Sequence, residues 1–98
     1  MTTVELMLEK LAKLQPTFLE IDDESEQHVG HAGAQSGGGH YHLRIVTPAF
    51  TQQNTLSRHR LVYATLGNLM HNKIHALSIN AFSPEEFKQL TQKEDQCN

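Results

Sequence analysis

Apolar residues recur along this chain with two different periods, and the changes of period divide it into elements. Val4, Met7, Leu8, Leu11 and Leu14 stand at helical spacing behind a capping box, Thr2-x-x-Glu5, until Pro16 forbids continuation. Thr17–Asp22 then alternates, with Leu19 and Ile21 on the expected core face and Phe18 and Glu20 opposite, which predicts a strand. His40–Thr47 alternates again, Tyr41, Leu43 and Ile45 facing inward and His42, Arg44 and Val46 outward, until Pro48 ends it. The polar Thr51–Thr55 reads as a turn or short helical piece. From Ser57, taken as an N-cap, Val62, Tyr63, Leu66, Leu69 and Met70 fall on one side of a wheel drawn at about 100° per residue. His59 sits near the middle of that stripe, flanked by Arg58 and Arg60. Across Asn68 to Lys73 the period changes, and a strand beginning at His75 turns His75, Leu77 and Ile79 one way and Ala76, Ser78 and Asn80 the other. Ser83-Pro84-Glu85-Glu86 is a second start signal, with Ser83 as N-cap, Glu86 closing a capping box, and Phe82 and Phe87 at staple positions. A short last helix follows it.

The order helix, strand, strand, helix, strand, helix predicts an α/β fold of the two-layer α+β kind, a three-stranded mixed sheet covered by helices on one face. A right-handed crossover through the main helix makes the second and third strands parallel if they are neighbours. Residues 1–90 form one domain, followed by a polar tail over 91–98. Between the first two strands, Asp23–Gly39 has no periodicity and five glycines, and is expected to be a long flexible loop. His28 and His31 lie in it and His40 at its end.

Composition narrows the setting. No apolar run approaches the roughly 20 residues of a membrane span, and Glu5 and Glu9 stand where a secretory leader would be basic, so a soluble cytoplasmic protein with no membrane partner is expected. The sole cysteine, Cys97, allows neither an intramolecular disulfide nor an all-cysteine metal site. The net charge of −3 conceals a segregation: Gln27 to Pro84 contains no acid but holds Arg44, Arg58, Arg60, Lys73 and all seven histidines. Such a block is locally electropositive and suits an anionic partner; the competing explanation is a half-buried sheet and helix that spare acids.

Catalytic signatures are weak. The thiol sits in the tail, no Gly-x-Ser-x-Gly elbow and no Gly-rich loop ending in Lys-Ser/Thr occurs, and the acids come in runs, so an enzyme is not expected. Metal chemistry has more support. His28-x-x-His31 and His40-x-His42 are loose histidine pairs, and His75 opens the third strand, where it could meet the loop. A solvated side chain is the plainer reading of each loop histidine, and a buried, hydrogen-bonded one the plainer reading of His59.

Arg58-His59-Arg60-Leu61-Val62-Tyr63, then His75-Ala76-Leu77 and the Ser83-to-Phe87 helix start, resemble the BolA family. So do Phe18-Leu19-Glu20-Ile21 leading to Asp23-Glu24-Ser25, the following His28, and His40-Tyr41 opening a strand. The resemblance runs from about Leu8 to Leu90. It implies a class II KH-like fold and a heterodimeric partnership with a monothiol glutaredoxin in handling a [2Fe–2S] cluster. For some bacterial members it implies DNA binding and regulation of morphology and stress genes. It assigns the family's strand histidine to His75 and its loop ligand to His28, with His31 a second candidate. A [2Fe–2S] cluster takes four ligands, and histidine replaces two of the usual thiolates in some centres. Two histidines from this chain therefore leave two positions for a glutaredoxin cysteine and glutathione. Under the rival DNA reading the contacts are Arg44, Arg58, Arg60 and Lys73. Against it stand the negative total charge, the lack of a Gly-x-x-Gly joining two helices as a KH clamp requires, and a projection of about 200° between Arg58 and Arg60.

Overall fold

The computed structural model describes residues 2–24 and 39–96, with side chains to residue 91. Helix α1 (Thr3–Leu11) is held at its start by the expected box: the Thr2 hydroxyl accepts the Glu5 amide at 3.1 Å and the Glu5 carboxylate accepts the Thr2 amide at 2.9 Å. One 3-10 turn, Ala12–Leu14, tightens its end, and Gln15 at φ 53° releases the chain before Pro16. Strands β1 (Phe18–Asp23) and β2 (Gly39–Val46) follow, then a 3-10 turn (Pro48–Phe50), helices α2 (Thr55–Leu66) and α3 (Leu69–Asn72), strand β3 (Ile74–Phe82) and helix α4 (Pro84–Gln96). The expected loop between the first two strands falls almost wholly outside the described residues.

The sheet order is β1-β2-β3, with β1 antiparallel and β3 parallel to β2. The parallel pair is the one that the helical crossover demands. On one face Tyr41, Leu43, Ile45 and Ile74 pack with Met7 and Leu11 of α1, Val62 and Leu66 of α2, and Leu69 of α3. Phe50 joins them at full burial. It lies in the segment that sequence periodicity leaves as connection, because a single 3-10 turn is too short to show a period. Thr47 N-caps that turn and ties it to the end of α1: its hydroxyl accepts the Ala49 amide and donates to the Leu14 carbonyl at 2.6 Å.

The main helix departs from expectation in three respects. Its N-cap is Asn54 rather than Ser57: the Asn54 Oδ1 accepts the Ser57 amide at 2.8 Å, so the polar run before Ser57 supplies the cap and the first turn. Gly67, at φ 57°, breaks it into α2 and α3. The buried stripe is consequently Val62, Leu66 and, across the break, Leu69, while Tyr63 is 41% exposed.

The opposite sheet face carries a second, smaller apolar cluster. Register aligns Phe18, Val46 and Phe82 in one row, and Val46 is 1% exposed. Phe87, from the first turn of α4, stacks on Phe18 at 5.3 Å and tilts against Phe82 at 6.1 Å. Phe18, expected to face solvent or a partner, is thus partly covered, and the Phe82–Phe87 staple closes the sheet end rather than only the helix start. Among the described residues, no helix is long and apolar enough to cross a membrane.

Candidate functional site

The histidine chemistry gathers where β2 and β3 begin. Gly39 pairs with Ile74, but His40 pairs with Ala76, so β3 holds one extra residue there and that residue is His75. A bulge of this kind re-aims a side chain. Ile74 before it is 4% exposed in the core, and Leu77 and Ile79 after it pack against the same core. His75 is left exposed, with its ring centroid 5.1 Å from that of His40 and the planes inclined by 41°. Strict alternation predicts His75 on the face of Leu77 and Ile79; the bulge turns it instead toward the side of His40. The Gly39 amide fixes this corner by donating to the Lys73 carbonyl at 3.0 Å.

Beyond the pair, the open face continues as polar rows. His42 hydrogen-bonds the Asn80 side-chain oxygen, and Arg44 meets Glu20 at 3.3 Å, both ends of that pair well exposed. His59 is half-buried on α2 rather than enclosed. His28, His31 and Cys97 lie outside the described residues, so no loop ligand is placed beside His75. Among the described residues, no group of three or more histidine, cysteine or acidic side chains could hold a metal.

The four cations of the acid-free block part ways. Arg60 on α2 and Lys73 before β3 are exposed. Arg58, expected at an anionic partner, is directed inward, its side chain 11% exposed. It donates to Glu86 through two nitrogens at 2.6 and 3.2 Å, to the Gln53 carbonyl at 2.8 Å and to the Ala81 carbonyl at 3.0 Å, and lies 5.9 Å from the Phe50 ring centre. Those bonds hold the Glu86 carboxyl well below its ordinary range, at about 2, with the Ser83 amide adding to the effect. An open groove of about 440 Å³ lies beside this tie, between Thr55 of α2 and Leu90 of α4. It is at the opposite end of β3 from His75.

His40 is the site residue that sequence patterning undervalues. Its pairing with His42 is visible in the sequence, but its approach to His75 depends on the β2–β3 register and on the bulge, neither of which a single sequence displays.

A family model described as BolA-like protein matches residues 11–86. The chain is 38% identical over 87 residues to the DNA-binding transcriptional regulator BolA of Escherichia coli (strain K12), covering 88% of this chain and 80% of that protein. It is 44% identical over 84 residues to SufE-like protein 1, chloroplastic/mitochondrial, of Arabidopsis thaliana; the match covers 80% of this chain but only 23% of that longer protein. Among solved structures, BolA1 from Arabidopsis thaliana superposes with a TM-score of 0.72 at 42% identity, covering 84% of this chain and 92% of that one.

Proposed function

The chain belongs to the BolA-like protein family, and from that premise we propose that it is a non-enzymatic partner of a monothiol glutaredoxin, sharing a [2Fe–2S] cluster in iron–sulfur trafficking or sensing. The observation that carries this reading is His75: an exposed imidazole set outward by a bulge at the start of β3. The donor chemistry fits a half-site. His75 supplies one nitrogen, a loop histidine (His28, or His31 in its place) a second, and a glutaredoxin cysteine with glutathione the two sulfurs. When bound, the cluster would supply electron storage and a transferable iron–sulfur unit. The chain's part is to present imidazole nitrogens at an accessible edge.

Reconstitution tests it. The chain is mixed with a monothiol glutaredoxin, glutathione, iron and sulfide, and the visible absorption and circular dichroism of the complex are followed. His75→Ala is expected to change the cluster spectrum and loosen the complex. An unchanged spectrum removes His75 from the ligand set.

A second reading, a DNA-binding regulator, is favoured by the name of the Escherichia coli relative, a DNA-binding transcriptional regulator, and by exposed Arg60 and Lys73. Retention of a duplex by the chain alone, lost in Arg60→Ala or Lys73→Ala, supports it.

A further inference from the structure

We propose that the outer edge of β3 is a self-association surface, on which a second copy of this chain pairs antiparallel across a two-fold axis at Ser78. The hydrogen-bond ladder defines that edge. In a parallel pair, alternate residues of a strand turn both their N–H and their C=O toward the neighbour. The Phe82 carbonyl accepts the Thr47 amide at 3.1 Å, which turns Phe82, and by alternation Asn80 and Ser78, toward β2. Leu77, Ile79 and Ala81 therefore turn theirs outward, and there the Ala81 carbonyl is taken by Arg58 at 3.0 Å. Among the described residues, no backbone bond reaches the outward groups of Leu77 and Ile79.

These two residues are spaced to satisfy one another across a two-fold axis. With Ser78 opposite Ser78 of the second copy, Leu77 faces Ile79 of that copy and exchanges both bonds with it, and symmetry repeats the exchange. The side chains agree with this register. Leu77 and Ile79 are half-buried at the margin of the core, whereas Leu43 and Ile45, flanked by strands on both sides, are fully buried. Pairing lays Leu77 against Ile79 of the second copy and covers what each leaves exposed. On the open face Ser78 meets its own copy and Ala76 meets Asn80, and neither row contains a charge.

Charge selects this edge over the other. Strand β1 carries Glu20, Asp22 and Asp23, so self-pairing there would crowd acids together. Strand β3 has no acid, lysine, arginine or proline to blunt it, and its bulge lies at its first residues, before the paired stretch. One short segment thus supplies the donors, the acceptors and the aliphatic pairs of both sides, which makes a second copy its natural complement. A contact of one strand pair stands at the low end of interface sizes, under about 1,200 Å², so the dimer is reversible. It needs neither a metal nor another protein, and so stands apart from the cluster reading.

The test follows the unaltered chain by sedimentation velocity over a concentration series, with reductant present to prevent Cys97 disulfides, and by amide hydrogen exchange over the same series. The expected result is a dimer that grows with concentration. Within it the Leu77 and Ile79 amides gain protection, while those of Ser78 and Asn80, already in the β2 ladder, do not change. Cross-linking checks the register in a Cys97→Ser background. Ser78→Cys should oxidise to a disulfide-linked dimer, since Cα atoms at a facing, non-hydrogen-bonded pair lie about 4.5 Å apart, within disulfide reach. Glu20→Cys, on β1, should stay monomeric. Ser78→Lys sets two like charges opposite each other and should abolish the dimer with the parent's far-ultraviolet circular dichroism retained. A chain that is monomeric throughout the series overturns the proposal. So does a dimer that survives Ser78→Lys, that leaves the Leu77 and Ile79 amides exchanging freely, or that cross-links through Glu20→Cys.

Discussion

Arg58 shows how much one side chain can bind together. Its guanidinium joins α2 to the helix start at Glu86 and to two backbone carbonyls, and a planar fork with several donors suits that task where a lysine ammonium does not. Arg58→Ala is expected to lower the unfolding free energy by about 1–2 kcal/mol, because it removes charge-assisted bonds to the half-buried Ala81 carbonyl and to the exposed Gln53 carbonyl and Glu86 carboxylate. Arg58→Lys should recover only a minor part. The tie also sets an acid limit. Glu86 has its carboxyl lowered from 4.5 to about 2, so its contribution is complete above 4.5 and disappears as pH falls through about 2. Urea denaturation at a series of pH values should show a loss of stability across that interval that is shallower in Glu86→Gln than in the unaltered chain. Half of this arrangement was readable in advance. The Ser83-x-x-Glu86 spacing announces the capping box, which forms at 2.8 and 3.3 Å. That the same carboxylate would receive Arg58, 28 residues earlier, depends on where α4 docks, and no local pattern encodes it.

At the scale of elements, the strands were legible because their alternation matches a sheet with one covered face, and α1 because a capping box, a helical stripe and a proline agree. The misread features are those in which one or two residues interrupt a period. The bulge at His75 reverses the expected side of a candidate ligand histidine, and Gly67 ends α2 inside what reads as one apolar stripe. Gly67 adopts φ 57° and ψ −127°, a region nearly closed to residues with a Cβ, and its amide still bonds the Tyr63 carbonyl. Room is not the constraint, since an added Cβ would meet nothing nearer than the Ala64 carbonyl at 4.0 Å. Gly67→Ala should therefore cost about 1–2 kcal/mol through backbone strain alone, read as a lower thermal midpoint with the native far-ultraviolet spectrum retained. A variant as stable as the parent would mean that the α2–α3 junction can take another conformation. The junction leads through α3 into the start of β3, where His75 emerges.

Across the whole molecule, folding undoes the separation of charge that the sequence displays. The acid-free middle block faces acids from both ends of the chain: Glu20 of β1 meets Arg44, and Glu86 of α4 meets Arg58. Of the block's four formal cations, the two that remain without an acidic partner among the described residues are Arg60 and Lys73. The electropositive surface expected from sequence order is therefore much reduced in space, because antiparallel pairing of β1 and return of α4 bring distant acids alongside. This sets a quantitative expectation for the nucleic-acid reading. Each phosphate neutralised by a cation contributes roughly −0.9 to the slope of log affinity against log salt on duplex DNA, so two contacts give a slope near −2 for a single chain. Filter retention or fluorescence anisotropy of a labelled duplex, measured over a series of salt concentrations, should yield weak binding with about that slope. Lys73→Ala and Arg60→Ala should each reduce it by about one. A slope near −3.6 would require cations beyond these two, either Arg44 and Arg58 released from their carboxylates or a second chain on the same duplex. A stoichiometric titration at low salt separates those cases, since a second chain saturates the duplex at two chains per site and released arginines saturate it at one.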